Sequence, residues 1–411
     1  MKRSQKLSHL LRLMWNNPIF GDSYPLEIKA DQMLAQVDRI YSGFQESFRA
    51  ALKEGLPDAS PNDLDEIVNQ VGPKSVAFCA SISAGELKDT ERLQNAAVAI
   101  AVLYWADQSM DRGDDAMVAA VQRVAAETRG MAAASDHIPG AAAFRRAGLR
   151  HIERMVRKLN EHPEDTPHIL RAIYLDILDN EARVRNLSRE YFIAGLSPSF
   201  WDEHADEVAR KTIVDSGLMS ALTLIYSIYR NHDKSLPSLQ EVYQDDILMK
   251  LVRERFNSAI RVFDDWGDRH IDNAQYPQWG VFNINVFNQP DRRFLERFTF
   301  YSGITDTALQ GSLMSAFSHA TEEDWLYIAR TYAFLLRDSL ASLPQPVKVK
   351  YEVFLTLCKR TLEAGFVNAV GDIFLTEGQE DKNVTPDSLN AMLDALQDTS
   401  SGYLEAARSN P

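Results

Sequence analysis

Apolar residues recur at spacings of three and four along most of the chain, and alternation of the strand type is nearly absent. This periodicity predicts amphipathic helices that turn one face to a core. The breaks between the periodic segments are short and carry turn residues, as in Gly55–Asp58 and His162–Asp165. We therefore predict an all-α fold built as a single helical bundle. The periodic segments are 93–111, 142–159, 168–195, 201–230, 246–270, 323–340 and 349–375.

The pattern divides the chain into one large unit and two flanking pieces. Residues 61–375 hold most of the long periodic segments and are predicted as the α-bundle that carries the chemistry. Residues 1–60 are predicted as an N-terminal helical arm, because their basic and then apolar start has no small-residue cleavage site. Residues 376–411, rich in Asp, Gln, Ser and Asn, are predicted as a helix and a frayed tail. Residues 273–295 should form an irregular loop.

The net charge and the number of cysteines indicate which partners the chain can bind and in which compartment it works. Of 411 residues, 45% are hydrophobic and 25% charged, as in globular proteins, and the formal net charge is −14. A chain this acidic is not expected to have the positively charged surface needed to bind nucleic acid or an anionic membrane. Cys79 and Cys358 are the only cysteines, which predicts a cytoplasmic protein without a disulfide framework. No apolar run is long enough to predict a membrane span.

An apolar helical face in segment 93–111 leads directly into two carboxylates. A surface helix would place its acids opposite the apolar stripe, whereas Asp107 and Asp111 extend it. Carboxylates on a core-facing side are costly unless a cation compensates them. We therefore predict Asp107 and Asp111 as metal ligands with a catalytic role. The face consists of Leu93, Ala97, Ile100, Tyr104, Asp107 and Asp111.

A second acidic cluster ends the apolar face of segment 246–270. Asp264, Asp268 and Asp272 follow one another at steps of four, with Asp265 beside the first. Two such helices facing each other across a cavity would offer several oxygen ligands and leave coordination positions open, which suits Mg²⁺. We predict Mg²⁺ as the cofactor, and Asp264 and Asp268 as catalytic. The predicted metal ligands are Asp107, Asp111, Asp264, Asp265, Asp268 and Asp272.

The acidic clusters also have a simpler interpretation. Acid runs such as Asp111–Asp115 are usually solvated faces or helix caps, and a single DxxxD motif arises readily by chance in a helical protein. The alternative hypothesis is a noncatalytic helical scaffold whose acids bind a partner or keep the chain soluble. Two clusters that each end an apolar face favour the functional interpretation.

In order and spacing, residues 70–275 resemble the class I terpenoid synthase superfamily, which includes terpene cyclases and trans-isoprenyl diphosphate synthases. Asp107-Gln-Ser-Met-Asp111 resembles the first Asp-rich motif of that family, and Asp264-Asp265-Trp-Gly-Asp268 resembles the second. Gly72-Pro73-Lys74 precedes the first motif much as a Gly-Lys-Arg motif does in chain-elongating members. Arg210-Lys211-Thr212, followed by Asp215-Ser216-Gly217, is similar to the diphosphate-sensing segment and its helix break.

The resemblance implies a helical bundle of the class I terpenoid synthase type. It further implies three Mg²⁺ ions and the ionisation of an allylic prenyl diphosphate to a carbocation inside an apolar pocket. Arg210, Lys211 and Arg269 would bind the diphosphate. Members of the family often form dimers, which makes a homodimer one expected state. The pocket would be lined by Phe78, Tyr104, Phe192, Asp215, Ser216, Gly217, Tyr226 and Phe263.

Departures from the family patterns favour a one-substrate enzyme. Gln108 stands where elongating enzymes usually have a second Asp, Ser75 stands where their Gly-Lys-Arg motif needs Arg, and no Arg-Arg pair closely follows the first Asp-rich motif. The missing cations would hold isopentenyl diphosphate. The leading hypothesis is therefore a terpene synthase that acts on a C15 to C25 prenyl diphosphate and ends in cyclisation, elimination or water capture. The adjacent Asp264 and Asp265 look more like an elongating enzyme, so a trans-prenyltransferase or polyprenyl diphosphate synthase stays as the alternative.

Overall fold

The computed structural model describes residues 19–21, 30–131, 138, 140–193, 197–214, 218–267, 284, 291–319, 321–375 and 393–397. All regular secondary structure in these ranges is helical, which confirms the prediction of an all-α fold. The apolar faces of the helices meet in one contiguous core. The structure is therefore a bundle of helices over the described part of the chain.

Five helices form the first half of the bundle. Helix α3 packs against α1, α2 and α5, and most of its residues are buried, so it is the central helix of this half. Helix α1 belongs to the predicted N-terminal arm, yet it packs against α2, α3 and α5 and adds Phe44 and Phe48 to the core. The five helices are α1 (Ala30–Gly55), α2 (Pro61–Ser83), α3 (Thr90–Asp111), α4 (Asp115–Thr128) and α5 (Ala141–Leu159).

The remaining helices complete the bundle. They are α6 (Thr166–Ile173), α7 (Asn180–Ile193), α8 (Ser199–Val214), α9 (Leu218–His232), α10 (Leu239–Gln244), α11 (Asp246–Leu251), α12 (257–267), α13 (Arg292–Tyr301), α14 (Thr307–His319), α15 (Glu322–Ser342), α16 (Gln345–Lys350) and α17 (Glu352–Leu375). Helix α13 packs against α8, and α17 packs against α2 and α9. Within the predicted C-terminal piece 376–411, residues 393–397 are helical, and Arg337 donates to the Leu396 carbonyl.

The turn between α3 and α4 holds the end of α3 in place. Asp114 caps α4, because its carboxylate accepts a hydrogen bond from the Met117 N–H at 3.1 Å. Gly113 precedes it with φ +77°, a backbone conformation that glycine adopts without steric cost. The chain therefore reverses within a few residues, and α3 stops at Asp111.

Two of the long helices contain a π-helical turn. The turn Tyr174–Asp179 joins α6 to α7, and the turn Val252–Phe256 joins α11 to α12. A π-helical turn takes up extra residues, so it shifts the faces of the two helical parts that it connects, and such turns are frequent at functional sites. Each turn directly precedes the helix that carries candidate site residues, α7 or α12.

One stretch, Ser199–His232, is long and apolar enough to cross a membrane by length and composition. It comprises α8 and α9, and 86% of its most apolar window is buried inside the fold. A buried core helix of a globular protein has the same properties. The apolar character of this stretch therefore agrees with its position in the bundle.

Trp105 fills the contact between α1, α3 and α5. A Cβ added to Gly55 would lie 2.3 Å from Trp105 Cη2. One added to Gly148 would lie 2.8 Å from Trp105 Cζ3 and 3.0 Å from Gly55 Cα. The two glycines therefore allow α1 and α5 to approach each other and the same edge of the indole ring closely.

We expect Gly148→Ala to lower the free energy of unfolding by about 1–3 kcal/mol, because the new methyl group would overlap the indole ring. Gly311→Ala in α14 is the control, since an added Cβ there meets nothing within 4 Å. The control substitution should leave the free energy of unfolding unchanged or raise it by about 0.5–1 kcal/mol. Urea denaturation measures both, and a Gly148→Ala variant as stable as the parent would contradict the described packing.

Candidate metal centre

The first two candidate carboxylates stand in the last turn of α3. Asp107 and Asp111 are one turn apart, and the last turn contains no basic residue. The C-terminal end of a helix carries partial negative charge, so carboxylates at this end are disfavoured. Both side chains are partly buried, with 36% of Asp107 and 23% of Asp111 exposed. The end of α3 therefore needs a positive partner.

Helix α7 brings a third carboxylate and a guanidinium to the same place. One oxygen each of Asp107, Asp111 and Glu181 lie within 4.8 Å of one another. Arg185 Nη2 contacts Asp111 Oδ1, donates to Glu181 Oε1 at 2.8 Å and lies 4.0 Å from Asp107 Oδ1. The Arg185 side chain is only 2% exposed. Three carboxylates thus surround one buried guanidinium nitrogen.

The electrostatics of the group show an excess of negative charge. Burial is the largest cause that raises the pKa of Asp107 well above its usual range and the pKa of Asp111 to about 6. The negative charge of Glu181 raises both pKas further, and the positive charge of Arg185 offsets only part of the increase. Arg261 also lowers the pKa of Asp111, yet the pKas of both aspartates stay raised, so the nearby arginines supply too little positive charge for this group, and a divalent cation would supply the rest.

Helix α12 places the described part of the second acidic cluster near the first. Asp264 is partly buried, and its negative charge raises the pKa of both Asp107 and Asp111. Such an effect requires proximity, because charge interactions weaken with distance. Asp264 on α12 therefore lies close enough to act electrostatically on the group formed by Asp107, Asp111 and Glu181.

Asp265 has a different environment from that of Asp264. The sequence predicts Asp265 as a metal ligand, but its carboxylate is buried, lies 2.6 Å from Arg261 Nη2 and accepts a hydrogen bond from the Ile284 N–H at 2.7 Å. Burial raises the pKa of this carboxyl to about 7. Asp265 therefore ties Ile284 to the end of α12, and Asp264 is the better candidate for a metal ligand.

The predicted diphosphate-binding pair stands on α8. Arg210 is exposed, whereas Lys211 is half-buried and donates from Nζ to Asn180 Oδ1 at 2.8 Å. Burial lowers the pKa of Lys211. Asn180 directly precedes Glu181, so Lys211 is linked to the helix that carries the third carboxylate. The role of Arg210 and Lys211 toward diphosphate stays a prediction.

The predicted pocket residues differ in their surroundings. Tyr104 and Phe263 stand close before Asp107 and Asp264 on their helices, so they remain the best candidates for an apolar wall. Phe78 is half-buried against the core. The Tyr226 hydroxyl donates to the Pro237 carbonyl at 2.8 Å, which is a core contact. Outside the described residues or side chains lie Phe192, Asp215, Ser216, Gly217, Asp268, Arg269 and Asp272.

The sequence predictions miss Glu181 and Arg185, although a signal for them exists. Ile169, Ile173, Ile177, Glu181 and Arg185 follow one another at steps of four, so an apolar stripe again ends in charged residues. A Glu–Arg pair four residues apart is, however, also common on exposed helix surfaces. Only the burial of Arg185 and its contact with Asp111 distinguish the two cases.

Comparison of the chain with protein-family models, with curated proteins and with solved structures found no match. Asp107, Asp111 and Glu181 could hold a metal ion, and all three offer carboxylate oxygens. Such a donor set suits a hard cation such as Mg²⁺ better than the softer metals that prefer sulfur or imidazole.

The raised pKa of Asp111 predicts that metal binding depends on pH. A carboxylate binds metal only after it loses its proton, and a group with a pKa of about 6 is mostly protonated at pH 5 and mostly ionised at pH 7.5. We expect Mg²⁺ to raise the melting temperature more at pH 7.5 than at pH 5. Thermal-shift measurements with Mg²⁺ and with a chelator at both pH values test this expectation, and an equal or larger increase at pH 5 would contradict it.

Without metal, the ionisation of Asp111 should lower the stability of the folded protein as the pH rises, whereas the stabilisation by Mg²⁺ should grow with pH. The pKa of Asp111 rises from the ordinary 3.8 in the unfolded chain to about 6 in the folded protein, so the folded protein binds more protons in that window. The contribution of Asp111 to stability is therefore complete below pH 3.8 and falls as the pH rises toward 6.

Proposed function

We propose that this chain is a Mg²⁺-dependent class I terpene synthase. It would ionise an allylic prenyl diphosphate of C15 to C25 length and then cyclise or quench the carbocation. The observation that carries the proposal is the meeting of Asp107 and Asp111 of α3 with Glu181 of α7 at the end of an apolar helix, with the charge of Asp264 on α12 acting on the same group. The proposal includes the class I terpenoid synthase type of bundle, which the order of the motifs supports.

The proposed reaction needs positive charge near the leaving group and an apolar space beside it. Mg²⁺ bound at Asp107, Asp111, Glu181 and Asp264 would neutralise negative charge on the diphosphate as the carbon–oxygen bond breaks. Lys211 and Arg210 would donate charge-assisted hydrogen bonds to its oxygens. Tyr104 and Phe263 carry aromatic rings whose faces attract a cation, and the apolar stripe of α3 would keep water away.

A one-substrate reaction is the better supported branch. Asp264 and Asp265 are adjacent, and this pair is the sequence feature that favours a prenyltransferase. In the structure the Asp265 carboxylate is engaged by Arg261 and the Ile284 N–H, so the two aspartates differ in their surroundings. The feature that supports the prenyltransferase alternative is therefore weakened.

Incubation with farnesyl, geranylgeranyl and geranylfarnesyl diphosphates plus Mg²⁺, with and without isopentenyl diphosphate, separates the two branches. The proposal predicts a hydrocarbon or terpene alcohol from at least one substrate without isopentenyl diphosphate. A longer prenyl diphosphate that forms only when isopentenyl diphosphate is present would establish the prenyltransferase instead. No turnover of any of these substrates would favour the noncatalytic scaffold.

A further inference from the structure

We infer that Arg185 is an internal competitor of the metal: its guanidinium occupies the position between Asp111 and Glu181 that a divalent cation takes, and metal binding displaces it. The inference rests on the metal centre of the proposed function. It concerns how the metal enters the centre, and Arg185 lies outside the Asp-rich motifs found in the sequence.

The geometry of one nitrogen carries the inference. Arg185 Nη2 contacts Asp111 Oδ1, and it also donates to Glu181 Oε1 at 2.8 Å. The same nitrogen is the Arg185 atom nearest to Asp107, at 4.0 Å. These are the residues whose oxygens lie within 4.8 Å of one another. A magnesium ion bonded to Asp111 and Glu181 at about 2.0–2.1 Å would need the space that Nη2 fills.

Electrostatics makes the competition direct. A guanidinium and a divalent cation require the same carboxylate lone pairs, and they repel each other when both are close. Arg185 is 2% exposed, so little water is present to screen that repulsion. The metal can therefore reach Asp111 and Glu181 only when the Arg185 side chain moves away from them.

A second arginine, Arg261, also acts on the centre, because its charge lowers the pKa of Asp111, but its ion pair is with a different carboxylate. Arg261 and Asp265 lie four residues apart on α12 at 2.6 Å, and the Asp265 carboxylate also accepts the Ile284 N–H. The contacts of that carboxylate include a side-chain cation and a backbone N–H. Arg185, in contrast, faces two further carboxylates besides the Glu181 of its own helix.

The expected consequence is that the metal-free protein binds Mg²⁺ weakly until an anion is present. A displaced guanidinium loses two charge-assisted hydrogen bonds, and a diphosphate offers oxygens that replace them. Inorganic diphosphate should therefore strengthen Mg²⁺ binding in the parent protein. The strengthening should be smaller once Arg185 is replaced, because no guanidinium then needs a new partner.

Calorimetric titration with Mg²⁺ alone tests the competition without any turnover. We expect Arg185→Gln to bind Mg²⁺ about tenfold more tightly than the parent, since a charge-assisted hydrogen bond no longer has to break. Arg185→Lys keeps the positive charge but lacks the planar guanidinium group. Its Mg²⁺ affinity should therefore lie between those of the parent and Arg185→Gln. Arg189→Gln is the matched control one turn further along α7, because Arg189 is exposed and pairs with Asp115 instead.

Equal or weaker Mg²⁺ binding by Arg185→Gln would overturn the inference. If that variant fails to fold, Arg185→Lys decides in the same way, because its affinity must exceed that of the parent. A parent protein that releases diphosphate while both variants bind Mg²⁺ no better would refute the role of Arg185 and leave the proposed function standing. Absence of Mg²⁺ binding from the parent and both variants, with and without diphosphate, would refute both.

Discussion

Asp107→Asn should reduce the rate of diphosphate release by at least about 10³-fold, equivalent to about 4 kcal/mol of transition-state stabilisation. The change keeps the shape of the side chain but removes a negative charge that the metal needs. The fold should survive, because Asp107 lies 4.0 Å from its nearest cation in the centre and has a strongly raised pKa. Without metal, the melting temperature of the variant should equal or exceed that of the parent.

Asp115→Asn provides the matched control for Asp107→Asn. Asp115 begins α4 only a few residues further on, its side chain is 81% exposed, and it pairs with Arg189 outside the carboxylate group. Its replacement should leave turnover within about twofold, because surface ion pairs contribute little. An Asp107→Asn enzyme that keeps the activity of the control would show that the end of α3 takes no part in the chemistry.

Glu181→Gln should lower turnover by about 10²-fold, since one ligand is lost while Asp107 and Asp111 remain. It should also weaken Mg²⁺ binding, because a neutral amide oxygen replaces a carboxylate. Steady-state kinetics at several Mg²⁺ concentrations separates the two effects: part of the lost rate should return at high Mg²⁺.

The control for this substitution is Glu190→Gln on the same helix, where the side chain is exposed. It should behave like the parent at every Mg²⁺ concentration. If Glu181→Gln also behaves like the parent, the metal is held without α7. The centre would then consist of the two Asp-rich motifs alone.

The sequence predicts the helices well because their signals are local. Segments 93–111, 142–159 and 323–340 correspond to α3, α5 and α15, whose ends lie within a few residues of the predicted bounds. Apolar periodicity and capping residues depend only on neighbours along the chain. The two π-helical turns leave no such signal, because they arise where a helix adapts to the packing around it.

The candidate site is predictable only in part. The shared face of Asp107 and Asp111 follows from their spacing, and the structure confirms that their oxygens lie together. The different surroundings of Asp264 and Asp265 cannot be predicted, because successive helix residues point about 100° apart and tertiary packing decides which one faces the centre. Glu181 joins Asp107 and Asp111 through packing between α3 and α7, which sequence spacing does not show.

The central claim is that the carboxylates of α3, α7 and α12 hold Mg²⁺ for the removal of diphosphate from a prenyl substrate. The most direct test is a diphosphate-release assay with farnesyl, geranylgeranyl and geranylfarnesyl diphosphates, run with Mg²⁺ and with a chelator. The account predicts release from at least one substrate, its loss in chelator, and its recovery when Mg²⁺ is restored. Release that continues unchanged in chelator, or no release from any of the three, would contradict it.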